Sequence, residues 1–120
     1  MLEKICKAEL SDLQDIAALE SEIFSDAWSL KSLEETWNQK NAVIFAAKTE
    51  EKIAGYLIIY YVLDEGEIAR IATVPSMRRQ GAAGQMFQEL VAFCEEQQIT
   101  RIMLEVREGN EAARRFYEKC

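Results

Sequence analysis

The chain has 120 residues, which is enough for one hydrophobic core and too few for two domains. Apolar residues make up 49% of it and charged residues 29%, proportions that are typical of a globular protein and argue against a disordered or fibrous one. The formal net charge of −7 argues against a general nucleic-acid-binding protein, which needs a basic surface.

The absence of histidine excludes Ser/His and Cys/His nucleophile pairs and histidine metal sites. The three cysteines, Cys6, Cys94 and Cys120, are too sparse for a disulfide framework or a zinc site and are typical of free thiols. The longest apolar run, Ile53 to Leu63, is about half of the roughly 20 residues that span a membrane, and the N-terminus does not resemble a signal peptide. We therefore expect a soluble, cytoplasmic protein with no metal and no membrane or nucleic-acid partner.

The N-terminal third of the chain predicts one short strand followed by two helices. The strand covers Lys4 to Ala8. Ser11 and Gln14 have the spacing of a capping box, and apolar residues at helical intervals continue from there to about Phe24. The helix then breaks, and Ser29 can cap a second one. The expected apolar face of this second helix consists of Leu30, Leu33 and Trp37.

The middle of the chain predicts three strands. Two runs rich in strand-forming residues, Val43 to Ala47 and Ile53 to Leu63, are joined by a polar turn and indicate an antiparallel hairpin. A third strand, Glu67 to Val74, follows a turn that contains Gly66 and ends at Pro75.

The remainder predicts a helix, a strand and a last helix. The third helix begins within Gly81 to Gly84. Its expected apolar face consists of Met86, Phe87, Leu90, Val91 and Cys94. Arg101 to Val106 alternates as a strand, and Asn110 can cap the final helix. The order β-α-α-β-β-β-α-β-α indicates an α+β fold, with a mostly antiparallel sheet flanked by helices in a single domain over residues 1–120.

The most informative stretch is the turn between the last strand of the middle region and the third helix. Arg78 and Arg79 precede Gly81 and Gly84, so a basic segment runs into a helix that starts among small residues. Backbone N–H groups at a helix start have no partner inside the helix, and together with the helix dipole they favour a phosphate. The small residues let a pyrophosphate approach the main chain, and the arginines add donors. Close packing of strand and helix explains the same residues, and the P-loop pattern is absent.

The segment Arg78-x-x-Gly81-x-Ala83 resembles the Gln/Arg-x-x-Gly-x-Gly/Ala motif of the GNAT acetyltransferase superfamily. Four further stretches resemble one GNAT family, the bacterial ribosomal-protein-alanine N-acetyltransferases. They are Phe24-Ser25-Asp26-Ala27-Trp28-Ser29, Ile71-Ala72-Thr73-Val74-Pro75, Leu104-Glu105-Val106-Arg107 and Asn110-x-x-Ala113-x-x-Phe116-Tyr117. The resemblance covers essentially the whole chain in the family's order. The chain departs from the pattern at Ala27, where the family usually has proline, and at Ala83, where it usually has glycine.

The resemblance implies transfer of an acetyl group from acetyl-CoA to an amine. It implies that main-chain groups near the end of the strand Glu67 to Val74 hold the acetyl and pantetheine arm. It also implies that the basic turn holds the pyrophosphate and that an asparagine contacts the pantetheine. These acetyl-CoA-binding residues are Ile71, Ala72, Thr73, Arg79, Gln80, Gly81, Ala82, Ala83, Gly84 and Asn110. Glu105 matches the family's proton acceptor, and Tyr117 matches its proton donor.

Both assignments make chemical sense. An α-amine has a pKa of roughly 7.7–8.0, so the Glu105 carboxylate can take its proton directly or through water. A thiol has a pKa of about 8.5, so the Tyr117 phenol, with a pKa near about 10, can protonate the leaving thiolate. Without the resemblance, the glutamate is more typical of a solvated strand surface, and the tyrosine of a helix core.

Two functions remain open at this point. The first is an active N-terminal acetyltransferase, with ribosomal protein S18 as the acceptor for which the family is named and with small amines or lysine side chains as alternatives. The second is a non-catalytic acetyl-CoA-binding or interaction module. Family members continue beyond the position of Cys120 into two more strands, so we expect a C-terminally incomplete domain. The strand from Arg101 to Val106 would then have an open edge, from which we expect self-association.

Overall fold

A computed structural model of the chain describes residues 4–49, 53–74 and 82–104. Its strands are β1 (Lys4–Lys7), β2 (Ala42–Lys48), β3 (Ile53–Val62), β4 (Glu65–Thr73) and β5 (Arg101–Leu104). Its helices are α1 (Leu13–Ile23), α2 (Leu30–Asn38) and α3 (Ala82–Gln97), and a short 3-10 turn (Leu10–Asp12) precedes α1. In these ranges, no helix combines the length and the apolar character needed to cross a membrane.

The five strands form one sheet in which they follow each other in chain order. The pairings β1–β2, β2–β3 and β3–β4 are antiparallel, whereas β4 and β5 are parallel because α3 carries the chain back to the starting edge. The parallel register begins with Glu65 opposite Arg101 and ends with Ile68 opposite Leu104. The mostly antiparallel sheet and the predicted element order are confirmed as far as β5. The helix predicted after Asn110 lies outside the described residues.

The helices cover both faces of the sheet, and each face has its own apolar layer. The side chains that α3 contributes to one layer are Met86, Leu90, Phe93 and Cys94. The side chains that α1 and α2 contribute to the other are Leu13, Ile16 and Leu33. Neighbouring strand residues alternate between the layers, so Tyr56 belongs to the α1/α2 layer and Leu57 to the α3 layer. Burial raises the pKa of the Cys94 thiol, as fits the core position expected for this cysteine.

The apolar face of α3 differs from the prediction at two positions. Val91 is 54% exposed, whereas Phe93 is buried and packs edge-on against Phe45. Residues 86, 90, 93 and 94 follow the spacing i, i+4, i+7 and i+8 and therefore lie on one face of the helix. Position 91, at i+5, lies outside this face.

The predicted cap of α1 is wrong, and that of α2 is confirmed. Ser11 lies within the 3-10 turn, where Asp12 Oδ2 instead accepts a hydrogen bond from the Glu9 main-chain N–H at 2.8 Å. At α2, Ser29 Oγ accepts from the Ser32 N–H at 3.1 Å. This hydrogen bond satisfies one of the N–H groups that a helix start leaves without a partner.

Candidate active site

The end of β4 and the start of α3, where two groups of predicted site residues lie, meet next to Gly55 of β3. A Cβ atom added to Gly55 would lie 2.7 Å from the carbonyl oxygen of Ala72, 3.3 Å from Cα of Thr73 and 3.3 Å from Cε of Met86. Met86 follows the first turn of α3 by one residue, since this turn contains residues 82–85. The fold therefore brings the predicted residues late in β4 close to those at the start of α3.

Six of the predicted site residues lie outside the described residues. They are Arg79, Gln80, Gly81, Glu105, Asn110 and Tyr117. The proposed proton acceptor and donor, and the basic part of the turn, therefore stay predictions.

The main chain near the end of β4 has one edge turned away from β3. The N–H of Val74 donates to the carbonyl of Ala54 at 2.8 Å, so the main-chain groups of Val74 face β3. Ala72, which is opposite Tyr56 and two residues before Val74, also directs its main-chain groups toward β3. Because this orientation alternates along a strand, Ile71 directs its N–H and C=O away from β3. An extended chain with amide groups, such as the pantetheine arm of acetyl-CoA, can pair with groups in this orientation.

A β-bulge separates this part of β4 from the part that pairs with β5. Ile58 is opposite Arg70 and Ile59 is opposite Ile68, so Ala69 is an extra residue in β4. The described pairing with β5 also ends at Ile68. Because a bulge bends its strand and increases the local twist, the two halves of β4 run in different directions.

The first turn of α3 is open at Gly84. A Cβ atom added there would meet no heavy atom of the described residues within 4 Å. The N–H groups of a first helical turn point out of the helix end, and the helix dipole favours an anion beside them. The turn that starts at Ala82 thus combines these donors with open space at Gly84 among the described residues, and this combination fits a pyrophosphate.

A buried ion pair lies on the other face of the sheet, beneath α1. Glu20 of α1 is fully buried, and both of its carboxylate oxygens accept hydrogen bonds from Nε of Arg70 at 3.0 Å. Nη2 of Arg70 lies 2.9 Å from Oε1 of Glu20, and the hydroxyl of Tyr56 donates to Oε2. Three elements, α1, β3 and β4, therefore meet at one carboxylate.

The same ion pair holds the loop between α1 and α2, residues Phe24 to Ser29. Oε1 of Glu20 accepts from the main-chain N–H of Trp28 at 2.9 Å. Nη2 of Arg70 donates to the main-chain carbonyl of Asp26 at 3.0 Å, and the guanidinium carbon lies 3.9 Å from the centroid of the Phe24 ring. The second contact has the geometry of a cation–π interaction. We call Glu20, Tyr56 and Arg70 the buried network.

The protonation state of Tyr56 supports this arrangement. Burial raises the pKa of its hydroxyl, and the hydrogen bond to Glu20 raises it further. The phenol therefore stays protonated at neutral pH and donates a hydrogen bond to Glu20.

An open pocket of about 470 Å³ lies beside the α1–α2 loop. Residues from the loop, α2 and β3 line it, and among them are Trp28, Ser29, Glu35, Thr36 and Tyr60. The Tyr60 hydroxyl is 2.7 Å from Oγ1 of Thr36, and its ring centroid is 6.5 Å from that of Trp28. Among the predicted site residues that the structure describes, Ile71, Ala72 and Thr73 do not line this pocket.

We expect Gly55→Ala to lower the free energy of unfolding by about 1–3 kcal/mol, because the added methyl group overlaps the Ala72 carbonyl. Urea unfolding followed by circular dichroism measures this change. Gly84→Ala is the matched control, since its methyl group meets open space and alanine favours a helix. Equal stabilities of wild type and Gly55→Ala would contradict the close approach of β3 and β4.

Comparison with known proteins relates this geometry to an enzyme family. Residues 13–120 match the Acetyltransferase (GNAT) family. A protein of Bacillus subtilis (strain 168), provisionally named ribosomal protein bS18-alanine N-acetyltransferase, is 30% identical over 111 residues, which are 92% of this chain and 74% of the relative. The ribosomal protein bS18-alanine N-acetyltransferase of Escherichia coli (strain K12) is 29% identical over 114 residues, or 95% and 76% of the two chains.

A solved structure extends the likeness to the fold. The crystal structure of the ribosomal-protein-S18-alanine N-acetyltransferase from Escherichia coli aligns with a TM-score of 0.87 at 28% identity, and the alignment covers 99% of this chain and 76% of that chain. The family match begins with α1 and includes β4, residues 75–81 and α3. On these grounds the chain belongs to the GNAT family of acetyltransferases and is an acetyl-transferring enzyme.

Proposed function

We propose that the protein transfers the acetyl group of acetyl-CoA to the N-terminal α-amine of a polypeptide that begins with alanine, with ribosomal protein bS18 as the foremost acceptor. The observation that carries this proposal is the likeness, over more than nine-tenths of this chain, to relatives named for that reaction.

The described part of the site supports acetyl-CoA as the donor. The outward main-chain groups of Ile71 suit the amides of the pantetheine arm, and Ala72 and Thr73 follow it directly in β4. The first turn of α3, from Ala82 through Ala83 to Gly84, has donors and space for the pyrophosphate. The adjacent residues Arg79, Gln80 and Gly81, together with Asn110, complete the proposed set.

The proposed proton acceptor follows the described part of β5 in the sequence. Glu105 comes directly after Leu104, which pairs with Ile68 immediately before the β4 bulge. Since the described part of β5 ends beside the bulge, one residue before Glu105 in the sequence, it supports Glu105 as the group that takes the proton of the attacking amine. Tyr117, from the motif that begins at Asn110, is the proposed donor of a proton to the departing sulfur of CoA.

The acceptor side supports a polypeptide substrate. Glu35 is among the residues that line the pocket beside the α1–α2 loop, and the chain has a net charge of −7. Both favour a basic polypeptide, as ribosomal proteins commonly are. A cytoplasmic location and self-association stay predictions. For the second, β5 pairs only with β4 among the described residues, and Met103 on β5 is 59% exposed.

The test of the proposal is acetyl transfer to defined acceptors, followed by mass spectrometry. We expect the α-amine of a basic peptide that begins with alanine to be acetylated, and the same peptide with a blocked N-terminus and a free lysine to stay unmodified. Preferential modification of the lysine or of a small polyamine would contradict the proposed acceptor. Binding of acetyl-CoA without transfer to any acceptor would indicate the non-catalytic module instead.

We expect Gly81→Asp to weaken acetyl-CoA binding by more than about tenfold, or about 1.4 kcal/mol, because it puts a side chain and a negative charge at the proposed pyrophosphate site. Isothermal titration calorimetry measures the affinity. Gln97→Asp is the matched control, since it adds the same charge at the exposed far end of α3. Unchanged affinity in a folded Gly81→Asp protein would show that the pyrophosphate binds elsewhere.

A further inference from the structure

Arg70 joins the strand proposed to hold the donor to the loop on the acceptor side. It precedes Ile71 in β4, and its side chain extends to the α1/α2 face of the sheet, where the residue is only 8% exposed. There the guanidinium contacts the loop at the Asp26 carbonyl and at the Phe24 ring. A single side chain thus spans the distance between β4 and the α1–α2 loop.

Glu20 holds Arg70 in this position and adds a second contact to the loop. Its carboxylate accepts from Nε of Arg70 with both oxygens and from the main-chain N–H of Trp28 with one. Two of the hydrogen bonds to the loop involve main-chain atoms, the Asp26 carbonyl and the Trp28 N–H, and a third joins Nη2 of Arg70 to Oδ1 of Asp26 at 3.4 Å. The two main-chain bonds constrain the path of the loop backbone directly.

A need for stability alone does not explain a charged pair at this place. Removal of two charges from water is costly, and well-packed apolar side chains of similar size often stabilise a protein as much or more. Apolar side chains, however, form contacts without a preferred direction. The planar guanidinium of Arg70 can bind a carboxylate and a carbonyl at fixed angles, and this geometry determines where the loop lies.

The loop borders the pocket proposed for the acceptor. Trp28 and Ser29 line the pocket, and the Trp28 ring lies near that of Tyr60, which lines it too. The main chain of β4, in contrast, is held by its ladder with β3, which does not depend on the loop. A displaced loop would change the acceptor side while leaving the donor side in place.

We propose that Arg70, oriented by Glu20, is a positioning residue that holds the α1–α2 loop in the form that binds the acceptor polypeptide. The proposal rests on the proposed function, because it assigns the pocket beside the loop to the acceptor.

Steady-state kinetics of Arg70→Lys and Arg70→Met test it. Lysine keeps the charge but lacks the planar fork, whereas methionine keeps only the length. We expect the KM for the peptide acceptor to rise about tenfold or more in Arg70→Met and less in Arg70→Lys, with the Kd of acetyl-CoA changed by less than about twofold. Arg101→Met is the matched control, because Arg101 forms an exposed ion pair with Glu65 at 3.4 Å on the β4–β5 edge.

A spectroscopic measurement tests the loop without any reaction. The chain has two tryptophans, so Trp37→Phe leaves Trp28 of the loop as the single fluorophore. In this background we expect Arg70→Met to increase the acrylamide quenching of Trp28, and Arg101→Met to leave it unchanged. If Arg70→Met does not fold, Tyr56→Phe serves in its place, since it retains the buried ring and removes only the donor to Glu20.

The two readouts separate failure of this inference from failure of the proposed function. If wild type acetylates no peptide, the proposed function is wrong, and increased quenching in the Arg70 variant still supports the positioning of the loop. Unchanged quenching in a folded Arg70 variant would overturn the inference whatever the activity. An equal loss of peptide and acetyl-CoA binding would overturn it too, because it would show a general structural role.

Discussion

Glu20→Leu is expected to lower the free energy of unfolding by about 3–5 kcal/mol, because it leaves the Arg70 guanidinium buried without its counter-charge. The substitution also removes the acceptor of the Tyr56 hydroxyl and of the Trp28 N–H. Buried donors that lose their partners add to the loss. Urea unfolding followed by far-ultraviolet circular dichroism measures it, and a loss of this size is a large fraction of the stability of a small domain.

The double variant Glu20→Leu/Arg70→Met distinguishes the cost of an unpaired buried charge from the cost of poorer packing. With both charges gone, no ion remains buried without a partner, so the double variant should be more stable than Glu20→Leu alone. Strictly additive losses would show that the two side chains are not coupled. Arg101→Met provides the matched control at an exposed pair and should change the stability by less than about 1 kcal/mol.

The bulge in β4 explains why Arg70 was not predicted from the sequence. In a regular strand, residues 68 and 70 lie on the same face. The extra residue Ala69 shifts the phase, so Ile68 packs in the α3 layer while Arg70 reaches the α1/α2 layer. One inserted residue leaves no mark on composition or hydropathy, and the alternation of the surrounding apolar residues continues on both sides of it. The face that Arg70 occupies therefore depends on the pairing with β3.

Glu20, in contrast, is visible in the pattern of α1. It lies four residues after Ile16 and seven after Leu13, and both of these are fully buried. A charged residue on the apolar stripe of a helix indicates a buried partner, because the charge is costly without one. Tyr56 gives no such indication. It stands in a continuous apolar run that is buried on both faces, where periodicity does not distinguish the two faces of the strand.

The element order and the two-sided packing followed from periodicity, because strands and helices bury their apolar residues at different spacings. The chemistry did not follow from periodicity. Glu105 has the pattern of an ordinary surface residue on a strand, and only the resemblance to a family assigns it a role. Its assignment therefore has to be tested by kinetics.

Glu105→Gln and Tyr117→Phe are expected to lower turnover by about 10²–10⁴-fold each, since general bases and acids contribute that much. Both substitutions nearly preserve size, so the Kd of acetyl-CoA should stay close to that of wild type. Steady-state kinetics and calorimetry measure the two quantities. Glu95→Gln on the exposed side of α3 and Tyr61→Phe, whose hydroxyl donates to the Lys40 carbonyl at 3.0 Å, are matched controls that should keep normal turnover.

The pH dependence separates a base from a residue that only shapes the site. The acceptor amine has a pKa of roughly 7.7–8.0, so a growing fraction of it is already neutral as the pH rises through that range. If Glu105 removes the proton, the defect of Glu105→Gln should be largest near about pH 6 and smaller near about pH 9. A defect of constant size across this range would assign Glu105 to substrate positioning, and normal turnover throughout would show that the amine reaches the thioester without a base.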